Sequence, residues 1–376
     1  MNFFIKILVL VSVVFCAGFY WAQNTFLTNK NATPETQNLY KNLWKLLDKG
    51  VMFGHQDDLG YGVNWRMQKE RSDVKETTGD YPAVFGWDLI HFEIDKKGPI
   101  DFFDFNEMKK MMENVYNMGG INTLSWHTSN PKTEKDSWDN TKESIKVILP
   151  GAEKHQLYKN WLDKIAKYVV SIKGKDKKQV PILFRPYHEV TGDWFWWGKG
   201  NCTPEEYIKL WKFTYHYLTN EKNVNNLIWV YNTSDFKTKN DFLEFYPGDE
   251  FVDMISFDSY NYKNPVHDHS FVENAQNQFK IMDEIAKEHH KIPALAETGY
   301  EEIPYDKFWT KTLVEAIGNY KISYVLAWRN HGLNHENKMH YYTPYKGHPN
   351  EQDFKNYHDL ENTLFLKDIQ KAKIYK

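Results

Sequence analysis

The chain has 376 residues, 41% of them hydrophobic, and a formal net charge of −3. That length accommodates one large domain or two or three ordinary ones of about 150 residues each. The nearly balanced charge lacks the basic footprint of a nucleic-acid or anionic-membrane binder, so neither is expected as a partner, and no obligatory protein partner is expected.

The N-terminus reads as a targeting segment. Lys6 supplies positive charge and residues 7–18 form an apolar run, too short and too poorly flanked for a transmembrane helix. Residues 1–22 are therefore expected to be a secretory signal peptide, which predicts a periplasmic or secreted protein. Cys16 offers a lipidation site, but bulky Phe15 stands where a small residue is usual. With Cys16 removed, only Cys202 remains, and one thiol forms no internal disulfide. No histidine motif points to Cys202, so it reads as a buried or incidental thiol.

Residues 24–36 are polar and read as a loose lead-in. Beyond them, short apolar runs alternate with longer amphipathic stretches. Strands are expected at Val51–His55, Ala83–Asp88, Ile121–His127, Val180–Arg185, Leu227–Asn232, Asp253–Asp258, Ile292–Glu297 and Ser323–Trp328. Helices are expected between them at Asn106–Met118, Gln156–Ile172, Tyr207–Leu218, Phe271–His289 and Tyr305–Gly318. Leu157, Trp161, Ile165 and Val169 form an i, i+4, i+8 stripe, and Thr203-Pro204-Glu205-Glu206 carries an N-cap, a proline at N1 and first-turn acids. No repeat, low-complexity tract or Pro/Gly-rich linker interrupts the pattern. Eight strand–helix units without a linker predict an α/β fold closed as a (β/α)₈ TIM barrel, with one catalytic domain over residues 23–376.

All eight strands end in polar or aromatic residues. The endings include His55-Gln56-Asp57-Asp58, Trp87-Asp88, Trp126-His127, Arg185-Pro186-Tyr187-His188-Glu189, Tyr231-Asn232, Asp258-Ser259-Tyr260, Glu297-Thr298 and Trp328-Arg329-Asn330. Each alone is an ordinary loop start. In a (β/α)₈ barrel they meet on one face, which carries the active site. The composition bears on what that face binds. Aromatics make up 16% of the chain, with 14 Trp and 24 Tyr; such rings fill cores but also form flat platforms for sugar rings.

Carboxylates, donors and aromatic platforms in one cleft are the inventory of glycoside hydrolysis, in which one carboxyl must be protonated and its partner ionised. Glu189 precedes the aromatic run Trp194-Phe195-Trp196-Trp197, and apolar neighbours suit an acid. Glu297 ends an apolar strand and needs a donor to stay ionised; Tyr260 and Arg185 are the available ones. A metal site built from His55, Asp57, Asp58, His127 and His188 is the competing reading, but neither H-E-x-x-H nor Cys-rich spacing supports it. No metal and no cofactor are expected.

The stretch from Phe184 to Gly198, FRPYHEVTGDWFWWG, resembles the acid/base segment of glycoside hydrolase family 26, whose members are mostly β-mannanases, and Ala296-Glu297-Thr298-Gly299 resembles that family's nucleophile segment. The likeness spans roughly residues 38–370. It implies Glu189 as acid/base and Glu297 as nucleophile of a retaining enzyme acting on β-1,4-mannan polysaccharide or oligosaccharide. It further implies that His188 binds sugar and orients the acid, that Trp194 packs on the aglycone side and that His127 contacts the sugar. Tyr260 would hydrogen-bond the nucleophile, Trp328 would underlie the cleaved sugar and Arg185 would support the carboxylates. Tyr187 and Val190 depart from the family's usual residues. The same machinery serves β-1,3-xylanases and mixed-linkage β-glucanases. A non-catalytic carbohydrate-binding barrel would need neither glutamate. The segments Gln56–Asp80, Thr128–Gly151 and His331–Asn350 are long enough to narrow a cleft.

Overall fold

The computed structural model describes residues 27–94 and 102–376; the expected signal segment and Cys16 lie outside the described residues. Eight parallel strands form the barrel: β1 (Val51–Gln56), β2 (Val84–Asp88), β3 (Ile121–Trp126), β4 (Ile182–Pro186), β5 (Leu227–Thr233), β6 (Met254–Asn261), β7 (Ile292–Tyr300) and β8 (Tyr324–Ala327). Each pairs with its sequential neighbour, and β8 pairs with β1 through Met52↔Tyr324 to His55↔Ala327, so the sheet closes. All eight expected strands are present.

Strands β6 and β7 run three residues beyond their expected ends at Asp258 and Glu297. A register shift between Phe257 and Asp258 sets Asp258 opposite Glu297, and pairing continues to Asn261↔Tyr300. Such a bulge re-aims side chains at a barrel rim, and here it keeps two carboxylates on one wall.

Apolar side chains of alternate strand positions fill the barrel's lower half. Met52, Val84, Ile121, Leu183, Ile228, Met254 and Leu326 form one buried cluster. The opposite faces pack against an outer layer of helices, including Phe105–Met118, His155–Ser171, Pro204–His216 and Ser270–His289. The expected cap at Thr203 is a full capping box: Thr203 Oγ1 accepts from the Glu206 amide, and Glu206 accepts from the Thr203 amide.

The expected loose lead-in is corrected from residue 27 onward. The Thr28 amide donates to Asp253 Oδ1 at 2.7 Å and the Thr33 amide to Asn225 O at 2.8 Å. Thr33 then caps the helix Pro34–Leu46. Leu39, Leu43 and Leu46 of that helix join the lower barrel cluster and plug the barrel floor. Fully burying a leucine is worth about 2 kcal/mol, so the segment is held by its apolar face even though its composition is polar.

Candidate active site

The upper ends of the strands bring together Arg185, Glu189, Tyr260 and Glu297, with His127, His188 and Trp194 beside them. Arg185, the last inward-facing side chain of β4, is buried between two neighbours from across the barrel. Its Nη1 donates to Asp258 Oδ2 at 2.8 Å, and its Nη2 donates to Glu297 Oε1. The Tyr260 hydroxyl donates to the other oxygen, Glu297 Oε2, at 2.8 Å. Glu297 therefore has a charged donor on one oxygen and a phenol on the other.

Glu189 faces this pair. Carboxylate oxygens of Glu189, Asp258 and Glu297 all lie within 4.8 Å of one another. Burial, reinforced by the nearby charge of Glu297, pushes the Glu189 carboxyl up to about 7. The Trp194 indole donates to Glu189 Oε2 at 2.8 Å and opposes that rise. Glu189 is thus protonated to a substantial extent near neutrality, the state a general acid requires. Such close approach is in keeping with the ~5–5.5 Å carboxyl spacing of retaining glycosidases rather than the wider spacing of inverting ones.

Asp258 is the third carboxylate. Burial, with Glu297 adjacent, drives it well above the usual carboxylate range against the pull of Arg185. Its second oxygen accepts from Asn232 Nδ2 at 2.9 Å, while Asn232 Oδ1 accepts from the Glu189 amide at 2.7 Å. Asn232 therefore ties the Glu189 backbone to the Asp258–Glu297 side of the cleft.

A pair of histidines closes the third side. His127 Nδ1 lies 2.7 Å from Asp88 Oδ2. Burial alone would lower the His127 pKa, but Asp88 overrides it and raises it; Asp88 is lowered in turn, against its own burial, by His127. The two form an ion pair. His188 is held well below the usual range by burial and by the charges of His127 and Arg185, so it is neutral. Its Nε2 lies 3.1 Å from His127 Nε2, so the two rings share a proton position between them. Both ring nitrogens of His127 thus engage protein partners. Trp138 stacks on its face at 5.1 Å between centroids.

Trp328 lies half-buried at the end of β8, where its amide donates to Thr298 O of β7 at 3.0 Å. The large hydrophobic residues Trp138, Trp194 and Tyr262 are 51%, 39% and 84% exposed. Trp138 stacks on His127, Trp194 bonds Glu189 and Tyr262 lies beside Tyr260, so these open rings belong to the cleft and not to scattered surface.

Asp88, Asn232 and Asp258 stand among the strand endings in the sequence, but no role follows for them there. Their roles appear only with their partners on adjacent strands. The histidine–aspartate metal reading loses its geometry: His55 pairs with Asp58 and Asp57 with Tyr61, away from His127 and His188. Among the described residues the one group able to gather around an ion is Glu189, Asp258 and Glu297, and the Arg185 guanidinium already bonds two of its members. Cys202 donates to Trp197 O at 3.1 Å and its thiol is pushed up to about 12 by burial, so it is no nucleophile.

Comparison with known proteins bears on the family of the whole barrel. The family model described as glycosyl hydrolase family 26 matches residues 28–341. A mannan endo-1,4-β-mannosidase of Bifidobacterium adolescentis is 31% identical over 90% of this chain, and one of Caldalkalibacillus mannanilyticus is 29% identical over 84%. This chain spans only 35% and 60% of those two relatives. Among solved structures, a family 26 β-mannanase from Bacteroides ovatus superposes with a TM-score of 0.86 at 38% identity, covering 92% of this chain and 98% of that one. A family 26 protein from Muricauda gives 0.85 at 33%, covering 94% and 96%. With a closed barrel and a family match over most of its length, the chain belongs to glycosyl hydrolase family 26.

Proposed function

We propose that this protein hydrolyses β-1,4-mannosidic linkages of mannan-type polysaccharides or manno-oligosaccharides with retention of configuration. The observation that carries the reading is the close pairing of Glu189, held at about 7, with Glu297, bonded by Arg185 and Tyr260. Glu297 attacks the anomeric carbon and forms a glycosyl-enzyme ester. Glu189 gives its proton to the departing glycosidic oxygen. Water then attacks the anomeric carbon, the bond from that carbon to the Glu297 oxygen breaks, Glu189 accepts the water's proton, and Glu297 leaves as carboxylate. His127 and His188 line the cleavage point, Trp328 serves as platform for the cleaved sugar, and Trp194 carries the aglycone side. The mannanase names of the family relatives supply the sugar assignment.

Export is part of the same proposal. A polymeric substrate lies outside the cell, and Lys6 followed by the apolar run of residues 7–18 provides a signal segment. The mass of the mature N-terminus distinguishes cleavage near residue 22 from lipidation at Cys16.

The test is reducing-sugar release from β-mannan, β-1,3-xylan and mixed-linkage β-glucan by wild type, Glu189→Ala and Glu297→Ala. Activity on mannan that both substitutions abolish supports the assignment. Preference for either other polymer overturns the sugar class, and activity surviving Glu297→Ala overturns the nucleophile.

A further inference from the structure

We propose that the turn Tyr187–His188–Glu189 is a strained seat clamped from outside by side chains, and that Tyr187 is the positioning residue anchoring the acid/base to the outer helical layer. The proposal rests on the reading of Glu189 as acid/base.

Strand β4 ends at Pro186, which has no amide hydrogen to continue the ladder. Beyond it the chain takes a conformation that side-chain-bearing residues avoid: φ is +50° at Tyr187 and +54° at Glu189. For bulky residues this region is disfavoured and persists only where the surroundings over-determine it.

The surroundings do so group by group. The Tyr187 carbonyl accepts from the Tyr207 hydroxyl at 3.1 Å. The His188 carbonyl accepts from the Trp197 indole at 2.8 Å. The Glu189 amide donates to Asn232 Oδ1 at 2.7 Å, and the Glu189 carbonyl accepts from the Gly192 amide at 2.9 Å. Three of these four partners are side chains. The turn is therefore held by groups that could be replaced without breaking the barrel's hydrogen-bond ladder.

Tyr187 supplies the remaining hold. Arg185 points into the cleft, and Tyr187, two residues on but past the strand's end, turns its ring outward into the core between barrel and helices, where it is fully buried. Its hydroxyl meets the Tyr158 hydroxyl, on the helix His155–Ser171, and Thr214 Oγ1, on the helix Pro204–His216, the latter at 3.0 Å. Thr214 passes its own hydrogen to the Leu210 carbonyl at 2.8 Å. The hydroxyl thus bolts the turn to two helices at once. A phenylalanine would fill the same volume without the bolt. The one polar side-chain atom of Tyr187 is buried and partnered on two sides.

The consequence concerns only the acid's aim. In Tyr187→Phe the ring stays, and Tyr158 and Thr214 keep their mutual bond of 2.6 Å, so no buried hydroxyl is stranded and the fold is preserved. The freed turn lets the Glu189 carboxyl wander from the glycosidic oxygen. A departing sugar needs that proton; a dinitrophenolate does not.

The experiment compares kcat/KM for mannotetraose and for 2,4-dinitrophenyl β-mannobioside in wild type, Tyr187→Phe, Tyr207→Phe and Glu189→Ala. Misplacing a general acid is expected to cost Tyr187→Phe about tenfold on mannotetraose and less than about threefold on the dinitrophenyl glycoside. Tyr207→Phe, which loosens the same turn from the other side, is expected to show the same contrast and decides the matter if Tyr187→Phe fails to fold. Equal losses on both substrates, or no loss on either, overturn the positioning role. Glu189→Ala must itself show the contrast in larger measure; if it does not, the assignment of Glu189 is wrong and the positioning role falls with it.

Discussion

The Trp194 indole N–H donates to Glu189 Oε2 at 2.8 Å, from a ring that is more than one-third exposed at the cleft mouth. A donor to a carboxylate favours its charged form, so this contact restrains a carboxyl that burial and Glu297 push to about 7. In Trp194→Phe the restraint is gone and the Glu189 pKa rises further. A general acid is competent below its pKa, so the alkaline limb of the kcat/KM profile moves to higher pH. A net hydrogen bond of about 1 kcal/mol corresponds to ~0.7 pH unit, and exposure of the indole reduces that figure. A limb that stays in place, or moves to lower pH, contradicts the role given to this contact.

The Arg185 guanidinium is bonded to both Asp258 and Glu297. Replacing it by methionine leaves two buried carboxyls without their cation, a change that typically costs about 3–5 kcal/mol. The loss depends on pH. Asp258 already sits above its ordinary range, chiefly through burial, and binds its proton more tightly folded than unfolded. Such a group stabilises the fold less as pH rises between its unfolded and folded pKa values. Without Arg185 that imbalance grows, so Arg185→Met is expected to lower the melting temperature more at pH 8 than at pH 5. Calorimetry at the two values checks the sign.

Asp88 raises the His127 pKa in a place where burial alone would lower it. Asp88→Asn removes the charge and keeps the shape, so the His127 pKa is expected to drop below its ordinary value. The ring then gives up its extra proton at lower pH than in the wild type, and the charge that helps to depress His188 weakens with it. The two imidazole signals titrate in separate steps in the wild type and are expected to draw together in the variant. A proton NMR titration reads this directly. Loss of a charge-assisted hydrogen bond is expected to cost about 2 kcal/mol in stability.

The barrel was legible because its signal is redundant. Eight apolar runs with polar ends, such as Ile121–His127 and Ile292–Glu297, announce both the strands and the face they share. The floor was not. In the helix Pro34–Leu46, Leu39, Leu43 and Leu46 acquire meaning only when a barrel bottom exists to be plugged, and the flanking polar residues hide them. The site divides in the same way. Glu189, Glu297 and Tyr260 could be named from local context. Asp258 and Asn232 could not, because their partners, Arg185 and the Glu189 amide, come from other strands and depend on register. Tyr187 looked like a neutral departure from the family pattern because the helices that receive its hydroxyl lie 29 and 27 residues away in sequence.

Gly299 lies two residues beyond the nucleophile on β7, and a Cβ there would sit 2.3 Å from Cδ1 of Tyr342. Real side chains do not approach so closely, so in Gly299→Ala the Tyr342 ring must move. That ring lies edge-on to Tyr260, 5.8 Å between centroids, and Tyr260 donates to Glu297. Its backbone is also tethered, since the Tyr342 amide donates to Asn330 Oδ1 at 3.0 Å, so the ring cannot retreat without disturbing the loop after β8. Overpacking of this kind costs about 1–3 kcal/mol. The displaced ring pushes on Tyr260 and lengthens its bond to Glu297, which weakens the hold on the nucleophile. Gly299→Ala is therefore expected to lower kcat about tenfold, as a misplaced catalytic group does, while circular dichroism stays native. Tyr342→Ala added to Gly299→Ala removes the collision and is expected to recover part of the loss. A double variant no better than the single one would mean that the glycine is needed for the backbone itself and not for the ring beside it.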